Sequence, residues 1–88
     1  MVAPIAAMAR DASLELALLL DDLAAVRPRA KILAALGREV LGVARRGRSP
    51  APLLEEVARQ AVMLRRGLAI SMPEFHRIRA ACARCRVT

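Results

Sequence analysis

The residues best suited to covalent or metal chemistry lie near the C-terminus. Cys82 and Cys85 form a C-x-x-C pair, and the only histidine, His76, precedes the pair by six positions. A closed zinc site needs four ligands, and no second pair of cysteines or histidines exists to complete one. A redox C-x-x-C normally begins a helix, where the dipole lowers the thiol pKa, whereas this pair falls at a helix end. We therefore expect both cysteines to be core residues, with no metal and no cofactor.

The sequence also lacks the arrangement of residues that hydrolytic catalysis needs. A cysteine nucleophile needs a histidine on the same accessible face, and helical spacing places His76 off the face shared by Cys82 and Cys85. The sequence contains no glycine-rich phosphate loop and no pair of carboxylates in a credible pocket. These observations predict a protein that is not an enzyme and that takes no small-molecule substrate.

The arginines suggest a second kind of chemistry, the binding of phosphate groups. Residues 64–84 partly fit a helix-turn-helix pattern, because residues 68–71 make a short turn and Phe75 and Ile78 could anchor a second helix. Arg65 stands where the first helix usually has a small residue, and that helix is too long, so an ordinary helical hairpin is the alternative. The candidate nucleic-acid-binding residues are Arg45, Arg46, Arg48, Arg77 and Arg79.

The charge is unevenly distributed along the chain. Fourteen arginines and one lysine oppose eight acidic residues, which gives a net charge of +7. Residues 1–26 hold one arginine and four acids, a net −3, and residues 27–88 hold 14 basic and four acidic residues, a net +10. Such a surface suits nucleic acid, an anionic membrane or an acidic protein. GC-rich coding explains the choice of arginine over lysine, but not the excess of basic residues.

Some of the basic residues could instead form salt bridges within the protein. Lys31, Arg38 and Arg45 recur every seven residues on the second predicted helix. If the first two helices fold back around residues 26–27, Asp22 faces Lys31 and Glu15 faces Arg38. We therefore expect a salt-bridge ladder that fixes the register of this hairpin but adds little stability.

Four helices are predicted from apolar residues spaced by three and four positions. They cover about residues 5–26, 28–44 (or 46), 52–68 and 71–86. Ser71 and Glu74 form a capping box at the start of the fourth helix, and Glu55 is spaced to pair with Arg59. The apolar positions are Ala9, Ala12, Leu16, Leu19, Leu23 and Val26, widened by Leu14 and Leu18; then Leu33, Leu36, Val40 and Val43; then Leu54, Val57, Ala61, Leu64 and Leu68; and finally Phe75, Ile78, Cys82 and Cys85.

These elements predict an all-α fold, a three- to four-helix bundle built from two helical hairpins. The single domain spans residues 1–88, with hairpins at 3–46 and 50–87 joined by a proline- and arginine-rich turn at 45–52. A chain of 88 residues has a small interior, yet 57% of its residues are apolar. Some aliphatic surface is therefore expected to stay exposed until a partner covers it.

The leading functional hypothesis is a small protein-interaction module, such as an adaptor, chaperone or regulatory subunit, that docks a protein partner or forms a homo-oligomer. The alternative is a small basic DNA- or RNA-binding regulator that uses the arginine-rich second half. We expect a cytoplasmic protein without a membrane partner, because no secretory signal or apolar run of spanning length is evident. The apolar partner-binding candidates are Leu16, Leu19, Leu23, Leu54, Val57 and Leu64.

Overall fold

The predicted all-α fold is confirmed by a computed structural model that describes residues 5–86, with side chains from Asp11 onwards. No strand occurs in this part of the chain. The predicted limits at residues 3 and 87, and the side chain of Ala9, lie outside the described residues. The helices are α1 (Ile5–Val26), α2 (Lys31–Arg45), α3 (Ala51–Arg66) and α4 (Met72–Arg86), and the single 3-10 turn Pro28–Ala30 precedes α2.

The helices form a bundle two helices wide in each direction. Helix α1 packs against α2 and α4, and α3 packs against the same two helices from the opposite corner. The Cα atoms span 43 × 20 × 20 Å, and packed helices lie about 8–10 Å apart, so all four axes must run along the long dimension. Short turns then make successive helices antiparallel.

The two ends of this bundle differ in their connections. The α1–α2 and α3–α4 turns share one end, because Arg27 Nε donates to Glu74 Oε1 at 3.2 Å. We call this the turn end. The opposite end carries the α2–α3 turn and the C-terminus of α4. Each end therefore combines residues that are far apart in the sequence.

The core follows most of the predicted apolar positions. Leu16, Leu33, Val40, Leu54, Val57, Ala61, Ile78, Cys82 and Cys85 are buried, together with Leu20 and Ile70, which the periodicity did not select. Three predictions on α1 were wrong, because Leu14, Leu18 and Val26 are exposed. Leu14 and Leu18 lie opposite the α1 face that contacts α2 and α4, and Val26 is the last residue of the helix.

Leu68 was also wrongly predicted to be a core residue of the third helix, because α3 ends two residues earlier. Ala69 N donates to Leu64 O at 2.9 Å and Leu68 N donates to Arg65 O at 3.0 Å. This is the Schellman pattern, in which the residue after the cap is left-handed. Leu68 has φ 56° and is 78% exposed.

The register of the first hairpin differs from the predicted one. Arg38 Nη2 lies 3.0 Å from Asp21 Oδ1, whereas Glu15 Oε2 lies 3.5 Å from Arg84 Nε on α4. The predicted pairing of Arg38 with Glu15 is therefore wrong. The 3-10 turn lengthens the connection and moves the fold-back point by about three residues. Within residues 11–86, Lys31 forms no ion pair.

The local predictions on α3 and α4 had different outcomes. Arg59 pairs with Glu56 rather than with Glu55, and Gln60 also donates to Glu56. These two interactions lower the pKa of the Glu56 carboxyl to about 2.

The capping box on α4 is confirmed. Ser71 N donates to Glu74 Oε1 at 2.7 Å, and Glu74 N donates to Ser71 Oγ at 3.2 Å. These bonds lower the pKa of the Glu74 carboxyl.

Candidate docking groove and arginine end

The six predicted partner-binding residues lie mostly inside the bundle. Leu16, Leu23, Leu54, Val57 and Leu64 are buried in the core, and Leu19 is partly buried against it. Their apolar faces contact the other helices of the same chain. Of the six, Leu19 and Leu23 also line a groove on the surface of the bundle.

A groove runs between α1 and α4 beside the turn end and holds about 290 Å³. Its floor is apolar and its rim carries charges of both signs. This volume falls at the lower limit of the ~300–1,000 Å³ typical of small-molecule pockets. The floor residues are Leu19, Leu23, Val26 and Ile78, and the rim residues are Asp22, Glu74 and Arg77.

Further apolar side chains are exposed at the turn end, where the groove also lies. Val26 is 67% exposed, and Met72, the first residue of α4, is 43% exposed. The two turns lie against each other, because Arg29 Nη2 is 3.4 Å from the position that a Cβ on Gly67 would take. Leu68 follows Gly67 directly. We call the groove together with Val26, Leu68 and Met72 the docking surface.

The five predicted nucleic-acid-binding arginines do not form one site. Arg77 lies on the rim of the groove with Asp22 and Glu74. The Arg79 guanidinium lies 5.7 Å from the centroid of the Phe75 ring, which places it on another side of α4. The other three, Arg45, Arg46 and Arg48, lie together at the end opposite the turn end.

These three arginines share their end of the bundle with Arg86, the last residue of α4. We call Arg45, Arg46, Arg48 and Arg86 the arginine end. All four are exposed, and across residues 11–86 none of them forms an ion pair. Gly47, with φ 71°, allows the chain to reverse between them. This end therefore concentrates positive charge that the described part of the chain leaves uncompensated.

Arg46 is the least free of the four. It lines a shallow groove of about 370 Å³ between α2 and α3 together with Glu39 and Leu53. Its guanidinium lies 3.5 Å from the position that a Cβ on Gly42 would take, so the side chain folds back along α2. Arg45, Arg48 and Arg86 are left as the outermost cations.

Helices α3 and α4 do not adopt the geometry of a helix-turn-helix. In that motif the two helices cross at about 90–120°. Here residues 67–71 connect two antiparallel helices, and Ile78, Ala81, Cys82 and Cys85 bury α4 along its length. The exposed side chains of α4 include His76 and Arg79 on its outer face and Arg77 and Arg84 on the side nearer α1. The unit at residues 64–84 is thus a bundle hairpin.

The cysteines occupy the core seam, as their spacing predicted. Burial and the neighbouring Cys85 raise the pKa of the Cys82 thiol to about 11, so the thiol is protonated at neutral pH. Burial also raises the pKa of Cys85, although a hydrogen bond with Ser13 opposes this shift. His76 lies outside on α4. Among the described residues, no three His, Cys, Asp or Glu side chains are placed to hold a metal.

Comparison of the chain with protein-family models, with curated proteins and with solved structures found no match. No helix in residues 5–86 is both long and apolar enough to cross a membrane.

Proposed function

We propose that this chain is a non-enzymatic protein-interaction module that binds an amphipathic helix of a partner protein on the docking surface. The observation that carries this proposal is the apolar groove between α1 and α4, which includes the exposed Val26, with exposed Leu68 and Met72 at the same end of the bundle. A module of this kind serves as an adaptor, a chaperone or a regulatory subunit.

The groove suits a helix better than a small molecule. Helix-in-groove recognition uses a few apolar anchors spaced along one helix face. The open, narrow groove offers Leu19, Leu23 and Ile78 as an apolar floor for such anchors. Fully burying a Val or Leu side chain contributes about 1.5–3 kcal/mol, so covering Val26 and Leu68 would supply a substantial part of a binding free energy.

The conformation of Leu68 supports a role in binding. A left-handed backbone costs an L-residue about 1–2 kcal/mol, and glycine usually occupies this position of a Schellman motif. The chain instead places Gly67 one position earlier, where φ is −82° and no glycine is required. A strained and exposed leucine gains nothing inside this bundle, whereas it can serve as an anchor for a partner.

The charge at the turn end indicates the chemistry of the partner. Arg27 is paired with Glu74, but Arg29 and Arg66 are exposed and form no ion pair in residues 11–86. An apolar helix flanked by acidic residues would complement this surface. Charge complementarity of this kind mainly accelerates association and excludes wrong partners.

The non-enzymatic part of the proposal is supported by the chemistry of the core. The thiolate is the nucleophilic form of cysteine, and the raised pKa of Cys82 keeps this thiol protonated at neutral pH. His76 is exposed on the outer face of α4, away from the seam that buries Cys82 and Cys85.

Selection of binders from a displayed random-peptide library tests the proposal. We expect the selected peptides to carry apolar residues at i, i+3, i+4 and i+7 with acidic neighbours. Val26→Asp and Leu68→Asp should each weaken their binding by about tenfold or more, because each change removes an anchor. The matched control Ile32→Asp changes a half-exposed apolar residue on α2 and should leave binding unchanged.

Three outcomes would contradict the proposal. The library could yield no binders above those of an unrelated helical bundle, or the binders could tolerate Val26→Asp as well as Ile32→Asp. Alternatively, sedimentation could show a homodimer that Val26→Asp dissociates, in which case a second copy of the chain occupies the groove.

A further inference from the structure

We infer that the arginine end binds the phosphate backbone of a nucleic acid duplex without reading its sequence. This activity lies at the end of the bundle opposite the docking surface and does not depend on it. It differs from the helix-turn-helix hypothesis in dispensing with base recognition, and it keeps Arg45, Arg46 and Arg48, adds Arg86 and leaves out Arg77 and Arg79.

The tertiary structure gathers these arginines from two distant parts of the sequence. The ion pairs of Asp21 with Arg38 and of Glu15 with Arg84 place the C-terminal halves of α2 and α4 beside α1. Arg45 and Arg86 consequently end their helices at the same end of the bundle, within a cross-section of 20 Å. Arg48 is exposed in the α2–α3 turn at the same end.

The charge of this end is not consumed internally. Asp21, Glu15, Glu56 and Glu74 are each engaged by a basic residue elsewhere on the bundle. The C-terminal ends of the α2 and α4 dipoles favour nearby cations, which accounts for Arg45 and Arg86 without a ligand. Arg48 lies beyond the end of α2 and has no such explanation.

Phosphate is the anion that fits best. Arginine presents a planar fork that binds phosphate oxygens in a bidentate manner. An interfacial membrane site also needs large apolar side chains to insert, and the α2–α3 turn that carries Arg48 has no exposed large hydrophobic side chain. Base readout needs a helix or ribbon in the major groove, whereas a turn reaches only the backbone.

Fluorescence anisotropy with a labelled random-sequence DNA duplex at several salt concentrations tests the inference. Three phosphate contacts, from Arg45, Arg48 and Arg86, predict a slope of about −2.7 in log K against log salt, or roughly a fortyfold loss of affinity between about 50 and 200 mM salt. The double variant Arg45→Glu and Arg48→Glu should reduce the magnitude of this slope by about 1.8 or more.

A matched control separates the site from the net charge. Lys31→Glu with Arg79→Glu changes the total charge by the same amount at two exposed residues elsewhere. This control should keep the slope of the unmodified protein. Thermal melts should show that both double variants stay folded at the assay temperature, because none of the four residues is in the core. The arginine-end variant should melt slightly lower, since Arg45→Glu removes a cation from the C-terminal end of the α2 dipole.

The inference would be overturned by any of three results. The chain could show no saturable binding at low salt, or the control variant could lose as much affinity as the arginine-end variant. Vesicles of phosphatidylserine and phosphatidylcholine could also bind through Arg45 and Arg48 while the duplex does not compete. The last result would assign the same arginines to a lipid surface.

Discussion

At the scale of single residues, Leu68 adopts a left-handed backbone conformation that leucine disfavours. Its left-handed φ of 56° ends α3, yet its side chain is 78% exposed and contributes little packing. A sequence pattern assigned it to the core because it continues the three- and four-residue spacing of α3. Which residue ends α3 depends on where the chain must turn toward α4. The position of that turn is set by its contact with the α1–α2 turn, which the spacing along α3 does not contain.

Leu68→Gly should stabilise the protein. Removing the Cβ relieves about 1 kcal/mol of left-handed strain, which corresponds to an increase of roughly 4–8 °C in Tm for a chain of this size. A thermal melt followed by circular dichroism measures the change. Leu68→Ala is the control, because it removes the same exposed side chain and keeps the strain. Equal stabilisation by both variants would show that exposure, and not backbone strain, is the cause.

At the level of the elements, α1 and α2 approach closely at Gly37. A Cβ there would lie 3.0 Å from Leu20 Cδ1 and 3.2 Å from Ala17 Cα, so a larger residue would be tightly packed against the backbone of α1. Gly42, five residues later, faces only the flexible end of Arg46 at 3.5 Å. Both glycines weaken an isolated α2, but only one of them serves packing.

The two glycines should therefore respond oppositely to alanine. Gly42→Ala should raise the free energy of unfolding by about 0.4–1 kcal/mol, because it gains helix propensity without a clash. Gly37→Ala should lower it by about 1 kcal/mol, because overpacking against the Ala17 backbone outweighs the same gain. Urea unfolding of the two variants gives both values. Stabilisation by Gly37→Ala would mean that α1 and α2 can separate without cost.

At the level of the whole molecule, ion pairs link the first helix to both of its neighbours. Asp21 contacts Arg38 on α2, and Glu15 contacts Arg84 near the end of the chain. All four side chains are substantially exposed, so these pairs define how the helices are aligned more than they stabilise them. They also leave the arginine end without an acidic partner in the described residues.

A double-mutant cycle should detect this alignment. Glu15→Arg combined with Arg84→Glu should recover about 0.2–1 kcal/mol relative to the sum of the single variants. Glu15→Arg combined with Arg38→Glu should show no coupling, because Glu15 and Arg38 were paired only in the register predicted from the sequence and form no ion pair in the structure. Urea unfolding measures both cycles. Coupling to Arg38 instead of Arg84 would contradict the observed arrangement.

The sequence alone determined the features that depend on neighbouring residues. Four helices, the capping box of Ser71 and Glu74 and the burial of Cys82 and Cys85 follow from spacing within about one or two turns of chain. Each of these features depends on interactions between residues that are close together in the sequence.

Only the tertiary structure decided which residues could meet a partner. The apolar residues chosen for docking were mostly used to hold the helices together, because periodicity cannot tell a face buried in the bundle from one left outside. The five candidate arginines were separated, because antiparallel packing puts the α2–α3 turn, with Arg45, Arg46 and Arg48, at one end of the bundle and leaves Arg77 beside the groove and Arg79 on another side of α4. These assignments depend on contacts between residues up to about seventy positions apart, which spacing along one helix does not encode.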